Sequence, residues 1–130
     1  MENMQVPVSP GEVLDKITIL EIKSERMTDP GKLANVRAEQ ALLQKTWAEN
    51  IRDTETIRTL HEQLKEINET LWEIEDDIRD KERAREFDDR FIELARAVYV
   101  TNDKRSAVKK ELNLHLGSGI IEEKSYQDYT

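Results

Sequence analysis

Tyr99, Asn102, Arg105 and Lys109 recur at intervals of three and four residues, a spacing that sets them along one side of a helix. Phe91, Leu94, Ala95 and Val98 precede them on the same face, so an apolar stripe runs into an amide and two cations. A guanidinium and an ammonium beside an amide and a phenol are groups that take up a carboxylate or a phosphate. The pattern predicts a polar, anion-accepting pocket at one end of a helical bundle, with a carboxylate of Asp76 or Glu82 on an acid-rich helix as ion-pair partner and Arg79 beside Asp76. Two plainer arrangements give the same pattern. The helix can break at Thr101 or Asn102 and re-phase on Val108, Leu112 and Leu116. Alternatively, the cations meet water or the acids between Glu73 and Glu82.

A second chemistry is spelled by carboxylates three residues apart. Glu66 and Glu69, followed by Glu86 and Asp89, match the ExxE and ExxD pairs of all-helical nucleoside triphosphate pyrophosphohydrolases, in which such pairs can share a magnesium ion. Acids are so frequent in this chain that pairs of this kind arise readily, and Glu73 with Asp76 matches equally well in the wrong order. No cysteine is present, the histidines His61 and His115 form no zinc pattern, and there is no nucleophile elbow or phosphate-cradling glycine loop. We therefore assign no catalytic residue, metal or cofactor. The favoured reading is a non-catalytic interaction or ligand-binding protein, and the alternative is a magnesium-dependent hydrolase of a nucleotide or nucleotide-sugar.

Charge narrows the partners. With 28 acidic and 20 basic residues the formal net charge is -8, which opposes binding to nucleic acid or to anionic lipid. No apolar run approaches the roughly 20 residues of a membrane span, and the first residues, MENMQVPVSP, lack the basic start and apolar middle of an export signal. The expectation is a cytoplasmic protein whose partners are an anionic small molecule, another protein or a second copy of itself.

These groups must be positioned by helices. Few Gly and Pro interrupt a chain that is 37% charged, a composition suited to long solvent-laced helices. Ser9-Pro10-Gly11-Glu12 predicts a helix start, with Ser9 as cap and Glu12 closing a capping box; that helix should end near Thr28. Asp29-Pro30-Gly31 predicts a second start, followed by a seam of Leu33, Val36, Gln40, Leu43 and Trp47. Ile57, Leu60, Leu64, Ile67, Leu71, Ile74 and Ile78 alternate three and four apart, a coiled-coil seam on one long helix from Thr54 to about Arg85. The phase is lost at Lys81 and Arg85, predicting a bend or short break with Asp88 or Asp89 capping the restart, and Gly117-Ser118-Gly119 stops the last helix. The reading is one all-α domain over 1–130, an antiparallel bundle around a long central helix, with an extended segment at 1–9 and an arm at 117–130. A seam of that length suggests a homodimer, because two short helices cover it poorly.

The segments VPVSPGEVLDKITILEIKSERM, LWEIEDDIRDKE, FIELARAVYVTNDKR and GSGIIEEKSY occur in this order over most of the chain. Together they resemble the domain of unknown function 6165 family, small proteins or domains of proteobacteria and marine phages. The resemblance implies no activity. It marks Glu21, Lys23, Asp76, Arg79, Tyr99, Asn102, Asp103, Arg105 and Lys124 as motif positions.

Overall fold

A computed structural model describes all residues 1–130 and contains four helices and no strand: α1 Pro10–Arg26, α2 Pro30–Asn50, α3 Glu55–Ala84 and α4 Asp89–His115. Each start is capped by the side chain just before it. Ser9, Asp29, Thr54 and Asp88 accept from the backbone N–H groups of Glu12, Lys32, Ile57 and Phe91. The capping box expected at α1 is only half made, because the Glu12 carboxylate turns away to Lys109 on α4. Between α3 and α4 the chain reverses completely. Arg85 takes a left-handed conformation with φ 55°, and Lys81 reaches across the turn to Glu86 and Asp88, both at 2.9 Å. Gly117, at φ 65°, ends α4 while the Ser118 N–H donates back to the Asn113 carbonyl.

The core is built around Leu14, Ile57, Leu60, Leu64 and Leu112, with Trp47, Ile51, Val108 and Leu116 packed against it. It thus joins α1, α3 and α4, and the end of α2 closes one side. In α3 the seam is buried at Ile57, Leu60, Leu64 and Ile74 and half-buried at Ile67, Leu71 and Ile78. Its cover comes from α1 and the 27-residue α4 of the same chain, so the seam itself supplies no argument for a second copy. The helix that touches every other is α1, whereas α2 packs on α1 alone and buries a single residue, Val36. Gln40 sits half-buried at the edge of that contact.

The apolar stripe of α4 does not break at Thr101 or Asn102, since the helix is continuous from Asp89 to His115. Its polar continuation faces a matching stripe on α1. Gly11, Asp15, Thr18 and Ile22 are spaced four, three and four apart, all buried, and α4 runs past them in the opposite direction. Gly11 meets Asn113, and Asp15 meets both Lys109 and Arg105. The cations therefore pair with α1 acids rather than with the run from Glu73 to Glu82. No helix is long and apolar enough to cross a membrane.

Candidate functional site

Where the α1 and α4 stripes part, a cleft of about 480 Å³ opens between α1, α3 and α4. Ile19, Ile22 and Leu71 supply apolar walls, and Trp72 lies half-buried beside them. Lys23 enters from α1, Asp76 and Arg79 from α3, Asn102 and Arg105 from α4. The lining holds three cations, Lys23, Arg79 and Arg105, against two carboxylates, Glu75 and Asp76. In a chain of net charge -8, this is a place where cations gather, though two of the three have carboxylate neighbours. Arg79 donates to Glu75 at 3.1 Å, one turn back on its own helix. Arg105 is held from behind, its Nε 3.7 Å from Asp15 Oδ1. Lys23 makes no ion pair.

The floor under this cleft is a buried polar network. Asp15, whose side chain is 4% exposed, accepts from Asn68 Nδ2 at 2.9 Å. The same Asn68 nitrogen donates to the Thr18 hydroxyl, which in turn donates to the Asp15 carbonyl. Behind it, Lys109 Nζ donates to Glu12 Oε2 at 2.7 Å and lies 3.9 Å from Asp15 and 3.5 Å from Glu122. No buried side-chain nitrogen or oxygen is left without a partner. Such a network holds Arg105 in place at the cleft without a ligand.

Of the six residues predicted to share a pocket, Asp76, Arg79, Asn102 and Arg105 line this cleft. Lys109 does not join them, being buried in the Glu12–Asp15–Glu122 cluster. Tyr99 lies on the neighbouring side of α4, where a groove of about 450 Å³ runs between that helix and the C-terminal arm; Asn102 lines both spaces. Glu82 makes no ion pair with the α4 cations. Sequence reasoning from the residues alone missed Asp15, Glu12, Lys23 and Trp72 as parts of the site. For Asp15 a signal was present, a carboxylate set between Leu14 and Ile17 on an otherwise apolar helix face.

The acid pairs of the hydrolase reading are not brought together. Glu66 and Glu69 sit near the middle of α3, and Glu69 is engaged by Arg26. Glu86 and Asp89 lie beyond the far end of α3, which is roughly 23–27 Å of helix away from Glu69 and Glu66 at about 1.5 Å per residue. No group of three or more acids and histidines is arranged to hold a metal ion.

The ionic cluster has a pH signature. The Glu12 carboxyl is held below its ordinary 4.5, chiefly by the Lys109 hydrogen bond and against the opposing effect of burial. Burial on its own would pull the Lys109 ammonium down, but the Glu12 hydrogen bond and the charges of Asp15, Glu12 and Glu122 outweigh it and leave Lys109 raised above 10.5. Just below pH 4.5 the unfolded chain binds more protons than the folded one, so the Glu12 contribution is complete above 4.5 and is lost as pH falls through the lower folded value. The Lys109 contribution is complete below 10.5 and is lost as pH rises through its folded value. Glu12→Gln is therefore expected to flatten the decline of stability below about pH 4.5, measured by urea unfolding across that range. An unchanged slope would mean that Glu12 is not tied to Lys109 in solution.

No curated protein and no solved structure matches the chain. Residues 4–129 match the Family of unknown function (DUF6165), which spans nearly all of the four-helix unit and both the cleft and the arm, and the chain belongs to that family.

Proposed function

We propose that the protein is a non-catalytic binder of a small anionic molecule, received in the cleft between α1, α3 and α4. The observation that carries this reading is that Lys23, which has no ionic partner, and Arg105, whose one ionic contact is its Nε 3.7 Å from Asp15, line the same cleft between apolar walls. The Arg105 guanidinium makes no hydrogen bond within the chain, and its planar fork matches a carboxylate or phosphate. Apolar walls with polar groups converging between them are the ordinary make-up of a ligand site. Binding here needs no divalent ion, in contrast to the hydrolase reading, whose carboxylate pairs lie far apart on α3 and α4.

Thermal-shift and calorimetric titrations with inorganic phosphate, nucleotides and sugar phosphates, each with and without magnesium, test this directly. Stabilisation is expected to be independent of magnesium. Lys23→Ala, which breaks no internal contact, is expected to weaken the interaction about tenfold, the effect of losing one charge-assisted hydrogen bond of about 1.4 kcal/mol. Stabilisation only with magnesium would favour the hydrolase, and unchanged affinity in the Lys23 variant would remove the cleft as the site.

A further inference from the structure

We infer that the groove between α4 and the C-terminal arm is a second subsite of the same ligand, taking a ring that can stack a face on tyrosine and is joined to the anionic group held at Lys23 and Arg105. The inference rests on the cleft being the anion site. Three tyrosines, Tyr99, Tyr126 and Tyr129, line the groove together with Asp103, Lys124 and Asn102. Asn102 also lines the cationic cleft, so the two spaces adjoin at one side chain. On α4, Tyr99, Asn102 and Arg105 step along the helix in threes, each step rising about 4.5 Å and turning about 60°. Tyr99 and Arg105 are therefore about 9 Å apart in helix rise and about 120° apart around the axis, so a ligand that touches both must wrap past Asn102, which inorganic phosphate is too small to do.

The chemistry of the two ends differs in a way that orients such a molecule. At the arm, Lys124 is already taken by Asp103 at 2.8 Å, so the groove offers aromatic faces, hydroxyls and a neutralised pair rather than free positive charge. Tyr99 and Tyr129 stand edge to face with centroids 5.0 Å apart. Aromatic faces with polar rims stack flat rings and hydrogen-bond their edges. A phosphate meets no free positive charge at this end and is attracted by Lys23 and Arg105 at the other. Asn102, able to donate and accept, lies where the linkage between ring and phosphate would pass. About 450 Å³ is within the range of small-molecule sites.

The ring can come from a heteroaromatic base or from a pyranose, and titration separates the two. Inorganic phosphate, adenosine and uridine monophosphates, and a hexose 1-phosphate are compared by calorimetry on the full chain and on Tyr99→Ala, Tyr99→Phe and Lys23→Ala. At least one ring phosphate is expected to bind tenfold or more tightly than inorganic phosphate. Tyr99→Ala should reduce that ligand to the affinity of inorganic phosphate while leaving inorganic phosphate unchanged, and Tyr99→Phe should retain most of the gain. Tyr99 is 43% exposed, so its truncation leaves the fold intact, as circular dichroism checks. Ring phosphates no tighter than inorganic phosphate, or an indifferent Tyr99→Ala, would overturn the ring subsite and leave the cleft standing. Loss of no affinity in Lys23→Ala would overturn both.

Discussion

Lys109→Ala is expected to lower folding stability by about 3–5 kcal/mol, the range measured when one partner of a buried ion pair is removed. Its side chain is 11% exposed and its ammonium is the group that Glu12, Asp15 and Glu122 share. Without it, Asp15 retains Asn68 and a long contact to Arg105, but Glu12 faces the helix interface with no cation in hydrogen-bond range. The origin of the loss can be separated from simple loss of packing. If uncompensated carboxylates cause it, the deficit shrinks as pH is lowered and Glu12 takes up a proton, and Lys109→Met combined with Glu12→Gln recovers a large part. A deficit under about 1 kcal/mol, the value of an exposed pair, or one that is flat from neutral pH to pH 4, would contradict the account. Chemical denaturation at several pH values reads both.

Gly11→Val is expected to cost about 3 kcal/mol, near the upper end of overpacking penalties. Valine is the better helix former, glycine being less favourable than ordinary residues by a few tenths of a kcal/mol or more, so propensity alone predicts the opposite sign. Space decides the matter: a Cβ at position 11 would come within 2.7 Å of the Lys109 carbonyl oxygen and 2.9 Å of Asn113 Oδ1. The first of these is backbone of α4 and cannot swing aside. Moving α1 outward to make room also breaks the Gly11 N–H to Asn113 bond of 2.7 Å and leaves a buried amide unsatisfied. Gly31→Val is the internal control, since its nearest neighbour is the side-chain oxygen of Asp29 at 3.3 Å in an exposed turn. Equal thermal shifts in the two variants would refute the close approach of α1 and α4.

Both positions show what could be read from the sequence and what could not. Three of the four caps and the left-handed stop at Gly117 are decided within a few residues, so Ser9, Asp29, Asp88 and Gly117 announced their roles locally, while Thr54, read as the first residue of its helix, caps it instead. The Ile57-to-Ile78 seam was legible because its period survives without interruption. That Asn102 and Arg105 share a side of α4 followed from helical spacing, and with Asp76 and Arg79 they line one cleft. What stayed hidden was the partner of the cationic stripe, because Glu12 and Lys109 are separated by 97 residues and nothing local signals their encounter. The same distance concealed that Lys109 is used inside the bundle, apart from Tyr99. Asn102 was open to reading as a helix breaker because its side chain competes for backbone bonds, a weak local preference that packing against α1 and α3 overrides.

The lopsided placement of α2 has a practical side. Apart from Trp47 and Ile51 at its end, it rests only on the outer flank of α1, so transient peeling of its first turns leaves the three-helix unit and both ligand-facing hollows assembled. Slack in the molecule is thereby parked on the flank remote from α4. Exposed sites there, such as Lys45 or Glu39, are suited to carry fluorophores or surface attachments that register occupancy without disturbing it.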